Sequence, residues 1–161
     1  MKVSLITITF NSERTLEDTI QSVIAQDYPN IEYIIIDGKS KDGTMAIVDK
    51  YRTNIAKVVS EPDRGLYDAM NKGWKHATGD IVGYINSDDF LACNDAISTV
   101  VRAFQQENGL AVDGIVGNNT WKTLENNKKS QHLVFKTRCC DYHSTFLIEY
   151  QVIRLYFIRF T

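Results

Sequence analysis

Short apolar runs alternate with amphipathic stretches over roughly the first ninety residues. "VSLITIT" (Val3 to Thr9) is brief and β-branched, as a strand buried on both faces should be. After "FNS", the apolar residues Leu16, Ile20, Val23 and Ile24 recur at helical spacing, with Asn11 or Ser12 available as a cap. "YPN" ends that helix, "IEYIIID" reads as a second strand and "GKSKDGT" as a polar turn. A helix through Ala46 to Tyr51 and a strand "AKVVSE" follow. Pro62 breaks the chain. "GLYDAMNKGWKHA" then resumes a helix with Leu66, Met70, Trp74 and Ala77 near one face, and "DIVGYIN" is the fourth strand.

This alternation predicts βαβ units: an α/β fold with a Rossmann-like, mostly parallel sheet flanked by helices and right-handed crossovers. Beyond residue 93, Ile97, Val100, Val101 and Phe104 predict one more amphipathic helix. "AVDGIVGNNTW" fits either strand and turn or a loop leading into a short helix. The tail "STFLIEYQVIRLYFIRFT" fits a sheet strand, a packing helix or an interfacial segment, core packing being the preferred use and peripheral membrane association the alternative.

Composition narrows the class. With 161 residues, 43% hydrophobic, the chain suits a single domain over 1–161 with a sizeable core. A net charge of -2 leaves no electrostatic footprint for nucleic acid. Cys93, Cys139 and Cys140 form neither a zinc spacing nor a disulfide framework, which points to a reducing cytoplasm. "MKVSLITITF" reads as a strand beginning at once and not as a signal peptide, and no run reaches the roughly 18 apolar residues of a membrane span.

In open parallel sheets, ligands sit beyond the carboxyl ends of the strands. Those ends here are "TFN", "DGKSKDGT", "SEPDRG" and "NSDD", all rich in ligand-holding side chains. Neither a G-x-G-x-x-G after the first strand nor a P-loop is present, so phosphates would need another source of positive charge. Adjacent Asp88 and Asp89 repel each other and would be relieved by a divalent cation, Mg2+ or Mn2+, shared with a diphosphate. A pair capping a following helix is the competing explanation. Asp37 could accept hydrogen bonds from a base or ribose, or simply form a turn before Gly38. Arg64 could meet phosphate oxygens or be a solvated loop residue. Asn71 and Lys72 lie on the polar side of their helix.

Taken in order and spacing, "ITITFN", "IIIDGKSKDGT", "EPDRGLYDAMNKGWKHATGD" and "YINSDD" resemble the family-2 glycosyltransferases, over about residues 3–105. That resemblance implies a GT-A fold and a nucleotide-sugar-binding half over 1–105. The implied activity is transfer of a sugar from a nucleotide-diphosphate donor, UDP foremost, to a hydroxyl of a glycan or lipid-linked acceptor in polysaccharide biosynthesis. It places Thr9 and Asn11 beside the nucleotide, Asp37 at the base, Arg64 near the diphosphate, and Asp88 and Asp89 at metal and nucleotide, with Asp89 the direct ligand. Asn86 stands where many members carry another Asp and is assigned a lesser role. A lipid-linked acceptor would put the work at the inner face of the membrane.

The later segment departs from the family. "YHSTF" (Tyr142 to Phe146) resembles a His-Gln stretch without its Gln, and the expected catalytic base does not follow at the usual distance. Asp141 and Glu149 are the candidates left, and the acceptor half over 106–161 reads as divergent or truncated. Without that base, a chain that binds nucleotide-sugar but does not turn it over is the alternative. A second resemblance is local: "VRAFQQENGLAVDGIVGNNTWKTL" (Val100 to Leu124) is similar to half of a peptidoglycan-binding repeat. Its first helix coincides with the helix expected after the acid motif, so the similarity is taken as local, a cell-wall-binding module being the other option.

Overall fold

The computed structural model describes residues 2–115, 119–120, 122–123, 133–137 and 151–157. Four strands, β1 (Val3–Thr9), β2 (Ile31–Asp37), β3 (Lys57–Ser60) and β4 (Ile81–Asn86), pair in parallel in the order β3-β2-β1-β4. Two antiparallel strands, β5 (Leu133–Thr137) and β6 (Gln151–Phe157), extend the sheet past β4, with Tyr84 opposite Arg154 and Ile81 opposite Phe157. The apolar tail thus supplies a sheet strand over 151–157, one of the three uses its composition allowed.

Helices α1 (Leu16–Ile24), α2 (Thr44–Lys50), α3 (Leu66–His76) and α4 (Ala96–Glu107) complete the domain. Alternation along the strands assigns the faces. Val3, Leu5, Tyr33, Ile35, Ile81 and Ile85 pack with Leu16, Ile20 and Val23 of α1, Val48 of α2, and Ile97, Val100 and Phe104 of α4. Ile6, Ile34, Ile36 and Val82 meet Ala69 and Ala77, at α3 and its end, on the other side. The chain therefore winds one way through β1, β2 and β3, then crosses back under α3 to β4. The β1/β4 boundary is the point where strand order reverses, which in such sheets opens a crevice.

Two local expectations change. Helix α1 begins only at Leu16, and neither Asn11 nor Ser12 caps it; Thr15 precedes it without a side-chain cap bond. On α3 the buried residues are Ala69 and Gly73, with Ala77 next in line, whereas Leu66 is about half exposed. Small residues face the sheet because the helix lies so close to it that a Cβ on Gly73 would stand 2.6 Å from Ile6 Cγ2. Residues 110–115 form a loop, and helical turns appear at 119–120 and 122–123, as the second alternative for "AVDGIVGNNTW" requires. Gln105 organises that loop: its amide donates to Asp113 Oδ1 (2.6 Å) and Ile115 O (2.9 Å) and accepts from Gly114 N (2.9 Å). Val100, Val101 and Phe104, inside the segment that resembles a peptidoglycan-binding repeat, belong to the main core. Among the described residues no helix is long and apolar enough to cross a membrane.

Candidate functional site

Register sets the carboxyl ends of the strands in one row. Thr9 is paired with Asp37 and Asp37 with Ser60, while Asn86 lies opposite Ile8. Four loops leave this row, and the first two are knitted together. Asn11 N donates to Ser40 Oγ (2.8 Å), and Lys41 N to Asn11 Oδ1 (2.9 Å). Ser12 N donates to Thr44 Oγ1 (2.8 Å), Glu13 N to Asp42 Oδ2 (3.2 Å) and Gly43 N to Glu13 Oε2 (2.8 Å). The Thr44 hydroxyl holds the Asp42 carboxyl below its ordinary pKa. Asn11 (φ 50°) and Lys39 (φ 69°) are the non-glycine residues with left-handed backbone among those described. Asn tolerates that region through its short amide; Lys does not, so Lys39 stores strain beside the site.

Asp37 is fully buried. Its carboxylate accepts from Ser40 N, from the Ser40 hydroxyl and from Ser60 Oγ at 2.6 Å. Its bonds to Ser40 hold the turn that follows β2, as the turn-forming explanation requires. Thr9 is also buried, and its Oγ1 has no hydrogen-bond partner, a costly condition for a hydroxyl away from water.

The third loop carries Arg64. Lys72 pins it, donating to Pro62 O (2.6 Å) and pairing with Glu61 (3.2 Å) and Asp68 (3.5 Å). Burial alone would lower the Lys72 pKa, but these acids outweigh it and raise the value. Lys72 is thus a structural tie and Asn71 an exposed surface residue. Arg64 N donates to Asp68 Oδ2 (3.0 Å), and the guanidinium, exposed, makes no hydrogen bond or ion pair among the described residues.

The fourth loop holds the acidic pair. Helix α4 starts only at Ala96 with Asp95 at its N-cap, so Asp88 and Asp89 cap no helix. Both are exposed and lack a cationic partner among the described residues. Asn86 grips Asp89 twice: its amide donates to Asp89 Oδ2 (3.1 Å) and its carbonyl accepts from Asp89 N (3.1 Å). Ser12 Oγ and Ser87 Oγ, 2.7 Å apart, bridge the first and fourth loops across the β1/β4 crevice. Among the described residues no three His, Cys, Asp or Glu side chains converge as a self-sufficient metal cage. Two carboxylates do suit a hard cation that completes its shell with phosphate oxygens and water. Asp141 and Glu149 lie outside the described residues.

Sequence reasoning missed three side chains. Phe10, Tyr67 and Phe90 are 60%, 79% and 46% exposed: Phe10 directly follows β1, Phe90 directly follows the acidic pair, and Tyr67 stands in the first turn of α3. For Phe10 and Phe90 the available signal was an aromatic residue in a polar strand-end loop; Tyr67 lies next to Leu66 on a helix and gave no such signal.

A model of glycosyl transferase family 2 matches residues 4–157. An uncharacterized glycosyltransferase of Mycobacterium tuberculosis is 39% identical over 122 residues, covering 71% of this chain and 47% of its own. The solved structure of Staphylococcus aureus TarS 1–349 in complex with UDP-GlcNAc aligns with TM-score 0.58 at 31% identity, over 68% of this chain and 32% of that one. The mannosyltransferase PcManGT of Pyrobaculum calidifontis, in complex with GDP-Man and Mn2+, aligns with TM-score 0.56 at 30% identity, over 61% and 31%. The chain spans less than half the length of these relatives, and the GT-A expectation for its fold holds against them. With the family model matched from β1 to the end of β6, the protein belongs to glycosyl transferase family 2.

Proposed function

We propose that the chain is a metal-dependent glycosyltransferase that moves a sugar from a nucleotide diphosphate, UDP foremost, to a hydroxyl of a glycan or lipid-linked acceptor. The observation that carries this reading is the exposed Asp88–Asp89 pair at the β1/β4 reversal, without a cationic partner among the described residues and beside loops that are already interlocked. Relatives solved in complex with UDP-GlcNAc, and with GDP-Man and Mn2+, support a nucleotide-sugar donor and a divalent ion.

Each residue has a role that follows from its surroundings. Asp89, oriented by Asn86, is the direct ligand for Mg2+ or Mn2+, and Asp88 is the second carboxylate. Such an ion, when bound, offsets charge developing on the leaving diphosphate. The exposed Arg64 guanidinium, without a hydrogen bond among the described residues, offers paired donors to diphosphate oxygens. Phe10 offers an aromatic face to the base, and Asn11 holds the loop that presents it. Thr9 brings a buried hydroxyl in need of a partner. Asp37 shapes the pocket wall through Ser40 and Ser60. Removing the acceptor proton calls for a further carboxylate, for which Asp141 and Glu149 are the candidates. A cysteine spacing without a disulfide framework and a nucleotide-sugar donor together favour the cytoplasmic side, at the membrane face where the acceptor is lipid-linked.

Titrating UDP by calorimetry with and without Mn2+ tests the site. Manganese should strengthen UDP binding, and Asp89→Ala should remove that gain, weakening metal-dependent binding by at least about a hundredfold. Wild-type binding that ignores Mn2+ would sink the metal reading. UDP binding with no release of sugar across a panel of acceptors would favour a chain that binds donor without turnover.

A further inference from the structure

Helix α1 packs Leu16, Ile20 and Val23 on the sheet, as any amphipathic helix would. It also carries a second stripe, Thr19, Ser22 and Gln26 beyond its end, spaced three and four residues apart and so on one side. This stripe faces protein. Thr19 Oγ1 donates to Asp89 O at 2.6 Å, and Ser22 Oγ accepts from Leu91 N at 3.0 Å. Gln26 Nε2 donates to Cys93 O (2.7 Å) while its Oε1 accepts from Ile97 N (3.2 Å). Asp27 continues the line, its N donating to Asn94 O (2.7 Å) and its Oδ1 accepting from Ser98 Oγ (2.6 Å).

The segment so held runs from the acidic pair to the start of α4 and contains no strand or helix of its own. A loop's backbone polar groups normally turn to water. Here Asp89 O, Leu91 N and Cys93 O, at alternate residues, turn to side chains of a helix about 70 residues earlier in the chain. The side chains are themselves oriented: Ser22 commits its proton to Thr19 O at 2.8 Å, which leaves an oxygen lone pair for Leu91 N. Thr19 is buried, and its bond goes to the main chain of a residue whose carboxylate Asn86 holds from the other end.

We infer that Thr19, Ser22 and Gln26 are positioning residues that set where the Asp88 and Asp89 carboxylates stand. The inference rests on the metal-site reading above, because a hard cation shared by two carboxylates depends on their spacing. It assigns to α1 a role that the acidic motif itself does not reveal.

The test counts free Mn2+ by electron paramagnetic resonance while UDP-saturated protein is titrated, for wild type, Thr19→Val, Thr19→Ser and Ser22→Ala. Thr19→Val should weaken Mn2+ binding by about five- to tenfold, with metal-free UDP affinity unchanged within about twofold. Thr19→Ser, which keeps the donor, should restore it. Gln21→Ala, on the same helix but bonded to Tyr51 and not to the acid loop, should leave Mn2+ affinity at the wild-type value. Equal Mn2+ affinity in Thr19→Val and wild type would overturn the inference and leave the metal reading standing. Wild type that takes up no Mn2+ would overturn both. Should Thr19→Val fail to fold, Ser22→Ala decides by the same criterion, alongside faster hydrogen exchange at the Leu91 amide.

Discussion

Glu32, near the start of β2, and Asp88, just past the end of β4, are both carboxylates beside a strand terminus, yet their surroundings differ in almost every respect. Glu32 takes hydrogen bonds from Lys2 Nζ (2.9 Å), Ser4 Oγ (2.5 Å), Thr78 N (2.8 Å) and Thr78 Oγ1 (2.6 Å). Burial would raise its pKa, but these donors overcome it and pull the value down to about 2. Gly79 N closes the cluster on Ser4 Oγ, and Lys2 N reaches Asp80. One clasp thus ties β1, β2 and the α3–β4 turn. At the opposite edge Asp88 is exposed with no partner among the described residues, Thr9 Oγ1 is buried without one, and Lys39 sits in strained backbone. The Glu32 carboxylate is saturated where the strands begin, whereas at the carboxyl ends saturated groups such as Asp37 stand beside open ones, as the proposed ligand site requires.

That contrast can be broken experimentally. The largest effect belongs to the open edge, where the Asp89→Ala loss of metal-dependent UDP binding should come with an unchanged urea midpoint. At the clasp, Glu32→Ala should do the reverse, costing about 2–4 kcal/mol by urea unfolding while UDP affinity holds. The pH dependence shares this origin. Because the folded pKa of Glu32 lies below its ordinary 4.5, its contribution is complete above that value and is lost as pH falls toward about 2. Wild-type urea midpoints should drop steeply across that window, and those of Glu32→Ala much less. Smaller is Thr9→Val, expected to raise apo stability by about 0.5–1 kcal/mol, since it removes an unsatisfied hydroxyl, and to weaken UDP binding. Smallest is Lys39→Gly, which should relieve left-handed strain and stabilise by up to about 1 kcal/mol in the same urea assay.

The four parallel strands were legible because each is a compact apolar run with a polar end, and burial on both faces leaves few other uses for "VSLITIT" or "IEYIIID". Asp88 and Asp89 stood out because two adjacent like charges need a reason, and the structure removes one of the two on offer, since α4 starts at Ala96 with Asp95 as its N-cap. The face of α3 was legible in part. Of Leu66, Met70, Trp74 and Ala77, Ala77 is buried and Trp74 packs against the same cluster, but close approach to the sheet gives the centre of the contact to Ala69 and Gly73 and leaves Leu66 half exposed. Asn11 looked like a cap because caps and loop cross-links use the same amide chemistry; only the neighbouring "GKSKDGT" turn decides between them. The spacing of Leu16, Ile20, Val23 and Ile24 left Thr19, Ser22 and Gln26 unremarked, since periodicity reports that a face is polar and not what it meets.

Gly73 carries a consequence beyond packing. A Cβ there would meet Ile6 at 2.6 Å and Ile36 at 3.3 Å, so an absent methyl group decides how low α3 rides over β1 and β2. Arg64 hangs from the amino end of the same helix, about two turns away. Helix and arginine together form a lever whose fulcrum is a single missing carbon. The height of the charged arm above the sheet is thus gauged from inside the core, at a buried glycine.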